Sequence, residues 1–233
     1  MGSRRPIPSS FSSVATELEQ NLRAVRERIT RACESAGRDP ADVTLIAVSK
    51  TYPADAIRAL YDVGQRHFGE SRLQEALPKV DALPHDIVWH FIGRLQSNKA
   101  RRVADTFDAI HTLENEGQLR EIAKSRRSVD GLIEVNLANE SQKGGRSLGD
   151  TTVFAENVVQ CPNVRFRGLM AIGPAGLSSE ELRPLYRELA QANARLGGTW
   201  LSLGMSGDLE AAIAEGATHV RVGTALFGTR QAS

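Results

Sequence analysis

The chain has 233 residues, 41% hydrophobic and 24% charged, with a formal net charge of +1. That length suits one large α/β domain or two small ones, and the composition is that of a soluble globular protein. A charge so close to zero excludes a protein built mainly to hold nucleic acid by electrostatics, and no stretch reaches the apolar length of a membrane span.

Residues 1–10 carry Arg4 and Arg5 with no apolar segment behind them, so no secretory signal is read there. Met1-Gly2 begins like a myristoylation site, but Pro6 stands where Ser or Thr is needed. Pro6, Pro8 and the serines predict a disordered tail over 1–10, ahead of a single domain over 11–233. Ser12 or Ser13 caps a predicted helix to about Ser35, with Leu18, Leu22, Val25 and Ile29 at helical spacing. Strand candidates follow near 43–49, 66–68, 87–92, 108–112, 131–136, 164–169, 199–203 and 218–222. Helical candidates fill the gaps at 53–63, 70–80, 97–105, 115–127, 148–160, 178–195 and 206–215. Eight strands separated by helices predict a (β/α)8 TIM barrel with an extra N-terminal helix. The open doubly wound sheet is the alternative, but no Gly-x-Gly-x-x-Gly follows the first strand. The two cysteines, Cys33 and Cys161, lack metal-type spacing and fit a reduced, intracellular setting, although two cysteines can pair.

In such a barrel the functional residues gather at the C-terminal ends of the strands. Lys50 ends the apolar run Val43-Thr44-Leu45-Ile46-Ala47-Val48-Ser49. It can be a phosphate anchor, a general base, a Schiff-base amine or a snorkelling surface lysine. After the seventh strand, Ser206 is placed to cap a helix containing Leu209, Ala212 and Ile213, with Asp208 in its first turn. After the eighth, Gly223 allows close backbone approach and Thr224 adds a hydroxyl. Taken singly these are a cap and a turn glycine. Taken with Lys50, they ask for a ligand bearing both a phosphate and an aldehyde, as pyridoxal 5'-phosphate (PLP) does. Arg221 interrupts the apolar run Thr218–Val222, so it points into the barrel if Val220 and Val222 pack outward. Its acceptor is either a ligand such as the pyridine nitrogen of PLP or a carboxylate in a core ion pair. The five histidines show no metal spacing, and the run Lys99, Arg101, Arg102 reads as a solvated helix face. His90 lies in a strand and either packs near a bound ring or is a satisfied core histidine.

The segments Ala47-Val48-Ser49-Lys50, His67-Phe68-Gly69-Glu70, His90-Phe91-Ile92-Gly93 with Leu95-Gln96-Ser97-Asn98-Lys99, Arg167-Gly168-Leu169-Met170, Ser202-Leu203-Gly204-Met205-Ser206 and Arg221–Gly228 occur in this order. With them the chain, from about Leu18 to Gly228, resembles the PLP homeostasis proteins, whose fold is like the N-terminal barrel of alanine racemase. The resemblance implies that Lys50 carries PLP as an internal aldimine, that Ser206, Gly223 and Thr224 bind the phosphate, and that Arg221 faces the pyridine nitrogen. It adds Met205, His90 and Ser71 to the cofactor-binding set. Ser71 departs from the asparagine common in that family, and that puts cofactor affinity, not the fold, in question.

The function this implies is a cytoplasmic, non-catalytic PLP carrier that buffers the cofactor and hands it to PLP-dependent apo-enzymes, standing as a monomer or weak dimer. The alternative is a weak amino-acid racemase; a third reading is an interaction protein whose PLP only stabilises the fold. Against racemisation, the chain ends at Ser233 with no room for the second domain of alanine racemases. Its tyrosines, Tyr52, Tyr61 and Tyr186, all fall within the barrel segment. Tyr52 either approaches the site or packs at a helix start. Lys143, in a glycine-bounded loop, is a second attachment candidate, and a strand end holds a cofactor more rigidly than such a loop.

Overall fold

The structure, a computed structural model, describes residues 9–137 and 144–228, with side chains from residue 15 onward. Eight parallel strands close into a barrel in chain order: β1 (Thr44–Val48), β2 (His67–Glu70), β3 (Val88–Phe91), β4 (Ala109–Leu113), β5 (Val129–Val135), β6 (Val164–Ala171), β7 (Trp200–Ser202) and β8 (His219–Val222). β8 closes on β1 with Arg221 opposite Ile46. Helix α1 (Ser9–Ser35) precedes the barrel. α2 (Ala54–Asp62), α3 (Leu73–Ala82), α4 (Ser97–Thr106), α5 (Glu116–Ile122), α6 (Leu148–Gln160), α7 (Ser179–Arg195), α8 (Leu209–Ala214) and the short α9 (Thr224–Phe227) each follow a strand. The expected TIM barrel with an extra N-terminal helix is the fold observed.

Strand alternation sets the two sides of the barrel wall. Leu45, Ala47, Val220 and Val222 join the core shared with the helices, while Ile46 and Arg221 between them turn inward. Trp89 and Phe91 likewise pack outward, leaving His90 inside. On α1, Leu18, Leu22, Val25 and Ile29 are buried at the predicted spacing, against α2, α8 and α9. Each such aliphatic side chain contributes roughly 1.5–3 kcal/mol relative to exposure. Helix starts follow their caps: Asn115 with Gln118 opens α5, and Ser178 with Glu181 opens α7.

Three expectations shift. Ser9 and Ser10 belong to α1 and not to a tail; residues 1–8 lie outside the described residues. The helix expected over 115–127 stops at Ile122, because Asn163 Nδ2 donates to the carbonyls of Ala123 (3.0 Å) and Ser125 (3.2 Å) just past it. The helix expected to start at Ser206 starts at Leu209, with Asp208 at the capping position. Asp208 Oδ1 instead accepts the Met205 N–H (2.8 Å), closing a tight loop that leaves Ser206 free of the helix. Cys33 and Cys161 are both buried and unpaired with each other.

Candidate functional site

A cleft of about 300 Å³ opens at the C-terminal ends of β1, β7 and β8. Val48, Lys50, Tyr52, Ile92, Ile172, Met205, Ser206, Gly207, Arg221, Gly223 and Thr224 line it. Its volume suits a single small ligand, and its place is where barrels of this type bind ligands. Lys50 sits at the turn leaving β1 and is partly exposed to the cleft. Gly223 carries the end of β8 against β1, where a Cβ would rest in ordinary contact with Val48 at 3.4 Å. Ile172 and Met205, 45% and 41% exposed, form an apolar rim open to solvent.

Arg221 supplies the charge of the site. It is 5% exposed and has no carboxylate ion-pair partner among the described residues. Its Nη1 donates to Ser202 O (2.8 Å) and Ser202 Oγ (2.6 Å), and Nη2 to Ala171 O (2.8 Å). A guanidinium has five N–H donors, so two remain after these three contacts, on a group that lines the cleft. A buried cation satisfied only by backbone and hydroxyl oxygens is costly unless a ligand completes it.

The loops after β7 and β8 present backbone donors to the cleft. Among the described residues, no hydrogen bond within the chain takes up the backbone N–H of Ser206, Gly207, Gly223 or Thr224. The first loop is braced from behind. Tyr186, fully buried, donates to Asp208 Oδ2, and Asp208 Oδ1 holds the Met205 amide. Burial first, and then the Asp208 carboxylate, pushes the Tyr186 hydroxyl far above its usual range, so it serves as a fixed donor. Arg28 of α1 donates to Ser206 O (3.0 Å) and pairs with Glu210 (2.8 Å).

Of the predicted site residues, Lys50, Met205, Ser206, Arg221, Gly223 and Thr224 come together in this one cleft. Two do not. His90 is fully buried inside the barrel, bonded to His67 (3.0 Å) and His111 (2.9 Å), which is the satisfied core histidine. Ser71 lines a separate hollow with Arg72, Arg94 and Lys99, its carbonyl pressed so closely on Gly93 that a Cβ there would lie 2.1 Å away. Arg221 forms no core ion pair among the described residues, which sets aside one of its two expected roles there. Tyr52 fills both of its expected roles at once. It lines the cleft while stacking on Phe227 (4.4 Å between centroids) and donating to Gly228 O (2.9 Å). Lys143 lies outside the described residues. Sequence reasoning missed the bracing by Arg28, Tyr186 and Asp208; the apolar neighbours of Tyr186 on α7 mark it only as core.

A further group surrounds Lys50 from below. Ser49 Oγ donates to Glu70 Oε1 (2.7 Å), and Lys79 bridges Glu70 (2.8 Å) and Glu75 (2.9 Å). Burial pushes the Glu70 carboxyl up against the opposing bonds from Lys79 and Ser49. At Glu75 burial acts in the same direction, but bonds from Lys79 and the Thr51 amide outweigh it and hold the carboxyl below its usual range.

The model of the alanine racemase N-terminal domain matches residues 20–231. A pyridoxal phosphate homeostasis protein of Pseudomonas aeruginosa is 43% identical over 220 residues, covering 91% of this chain and 96% of that protein. The structure of PipY from Synechococcus elongatus with PLP bound is 37% identical, with a TM-score of 0.78 over 91% of this chain and all of that one. Alanine racemase from Bacillus anthracis, 16% identical, shares the fold, with a TM-score of 0.65 over 94% of this chain and 57% of that one.

Proposed function

Since the chain belongs to the pyridoxal phosphate homeostasis proteins, built on the alanine racemase N-terminal domain, we propose that it binds PLP in the cleft at Lys50 and holds and hands on the cofactor instead of turning over an amino acid. The observation that carries this reading is Arg221: a buried cation with no carboxylate partner among the described residues and two N–H donors left over, lining a cleft with an amine at one side and uncommitted amides at the other. That set matches, group for group, a pyridine nitrogen, an aldehyde and a phosphate.

Lys50 would hold the aldehyde as a Schiff base, the amides and hydroxyls of Ser206, Gly207, Gly223 and Thr224 the phosphate, and Arg221 the ring nitrogen. When bound, PLP supplies an electron-withdrawing ring whose strength as an electron sink depends on protonation of that nitrogen. Arg221 cannot give up a proton, so it donates to the nitrogen and leaves it unprotonated, which weakens carbanion chemistry. Proton transfer on two faces of a substrate carbon needs a second acid or base. Tyr52 is the candidate among the described lining residues, and its hydroxyl is committed to Gly228 O. The open rim of Ile172 and Met205 suits release.

The test loads purified protein with PLP, removes the excess and records the visible absorption of the lysine-bound cofactor. The wild type is expected to keep that band through gel filtration, and Lys50→Ala to lose it. Loaded protein should then reactivate a PLP-free apo-enzyme and should exchange no amino-acid α-hydrogen in deuterated water. Steady α-hydrogen exchange would favour the racemase reading, and absence of the band would end both.

A further inference from the structure

Lys50 is the one residue of its turn whose two neighbouring peptide groups are both gripped by charged side chains from the next βα unit. Upstream, Ser49 is fully buried; its Oγ donates to Glu70 Oε1 (2.7 Å) and its carbonyl accepts from Lys79 Nζ (3.1 Å). Downstream, the Thr51 N–H donates to Glu75 Oε1. Lys79 joins the two grips, reaching Glu70 at 2.8 Å and Glu75 at 2.9 Å. An ammonium has three N–H donors, and here Ser49 O, Glu70 and Glu75 take all of them. Glu70 ends β2 and Glu75 and Lys79 lie on α3, so a strand end and a helix are locked together around the turn.

The turn needs such a lock. Thr51 has φ +73°, and among the described residues no other non-glycine residue has positive φ. A β-branched residue in the left-handed region is strained, and it persists only where surrounding contacts over-determine it. The strained residue directly follows Lys50, at the corner where the chain leaves β1 and the amine lines the cleft. Buried ion pairs are weak contributors to net stability, since desolvation offsets their attraction. A bridge whose ammonium has all three donors taken, and which spans both flanks of one lysine, is therefore better understood through what it orients.

We propose that Glu70, Lys79 and Glu75 are positioning residues for Lys50: a carboxylate–ammonium–carboxylate clamp, buried at Glu70 and Lys79 and partly exposed at Glu75, that holds Thr51 in its left-handed conformation and aims the amine into the cleft. The proposal rests on Lys50 being the PLP-attachment residue.

The test measures the rate of covalent PLP attachment, from the rise of the visible band in stopped flow, in the wild type, Lys50→Ala, Glu75→Ala, Thr51→Gly and the double variant Thr51→Gly/Glu75→Ala. Glu75→Ala leaves the Glu70–Lys79 pair intact, and thermal melts establish that each variant is folded. Misplacement of a reacting group by about 1 Å can cost on the order of a hundredfold in rate, so Glu75→Ala is expected to slow attachment by about tenfold or more. Glycine enters the left-handed region without strain, so Thr51→Gly is expected to restore the rate in the Glu75→Ala background. A merely stabilising role predicts a lower melting temperature for Glu75→Ala with no rescue by glycine. A Glu75→Ala variant that attaches PLP at the wild-type rate, or a loss that Thr51→Gly fails to restore, overturns the clamp while leaving Lys50 as the attachment site. A wild type without the band, or a band that persists in Lys50→Ala, overturns the Lys50 reading and the clamp with it.

Discussion

Beneath Lys50 the barrel buries full charges; along its axis it buries imidazoles that carry none. In the clamp of Glu70, Lys79 and Glu75 each group meets one of opposite sign within 2.9 Å. The axial row runs His67 Nδ1 to His90 Nε2 (3.0 Å), His90 Nδ1 to His111 Nε2 (2.9 Å) and His111 Nδ1 to Ser202 Oγ (2.9 Å), ending at Arg221. His90 and His111 meet no carboxylate there. Burial first, then the neighbouring imidazoles, drives both well below the usual histidine range, with Arg221 adding to the effect at His111. The row also has a direction. Arg221 can only donate, so Ser202 Oγ accepts from it and turns its own hydrogen to His111 Nδ1. Each neutral ring then carries its proton on Nε2 and passes a donor to the next, which is the tautomer assignment that satisfies every contact. Charge is buried where strand end and helix converge to supply counter-charges, and neutral dipoles where the barrel supplies only more dipoles.

The largest effect should come from breaking the charged network. Lys79→Met leaves Glu70, fully buried, facing Glu75 without compensation. Removing one partner of a buried pair costs about 3–5 kcal/mol, measurable as a shift in urea unfolding at pH 7. The loss should shrink at low pH, where the Glu70 carboxyl, already raised by burial, takes a proton. A loss that is small at pH 7 and independent of pH would mean that the bridge is not held by charge.

The neutral row should show itself under acid. A histidine whose folded pKa is depressed takes up protons in the unfolded chain below about pH 6.5 that the folded state refuses, so stability falls as pH drops. For His219, whose ring lies beside the row at 6.2 Å from His90 and 6.4 Å from His111, the folded value is about 3, set by burial and then by His67 and Arg221, so its window runs from about pH 6.5 down to about 3. Each such group contributes a slope of about 1.4 kcal/mol per pH unit once it is titrating in the unfolded chain. Glu134 acts in the opposite sense, since burial and then Glu114 raise it to about 7, and the folded state gains a proton there first. A difference measurement separates them. His219→Phe preserves the ring against Trp200 (4.3 Å), and the wild type should lose about 2 kcal/mol more than this variant between pH 6.5 and 5. Equal acid sensitivity would show that His219 is protonated in the fold.

The strands and the cleft were legible because they rest on local pattern: apolar runs of strand length, glycine and hydroxyl residues just beyond them, and a lysine ending the first. The clamp was not legible. Glu75 and Lys79 sit four residues apart, which on a helix reads as an ordinary solvated pair, and Glu70, five residues before Glu75, falls outside that spacing. Only the break between β2 and α3 turns that spacing toward Ser49 and Thr51. The axial row was equally hidden, since His67, His90 and His111 come from separate strands and meet only through the registers of β2 with β3 and of β3 with β4. The same registers account for the fate of His90. Strand position alone says that it faces inward, and inward holds both a cofactor mouth and a packed axis.

The smallest expected effect lies where the row meets the site. Ser202→Ala removes the hydroxyl shared by Arg221 and His111. A hydrogen bond to a charged group is worth about 1.5–3 kcal/mol and a neutral one about 1, but Arg221 keeps the backbone carbonyls of Ser202 and Ala171, so the loss should lie near the lower figure. Those two carbonyls belong to the strands themselves and should hold the guanidinium in place without the serine. PLP affinity, followed by equilibrium titration of the visible band, is therefore expected to change far less than unfolding stability does. A drop in affinity exceeding the drop in stability would mean that the orientation of Arg221 depends on the histidine row, so that the neutral network serves the site just as the charged one does.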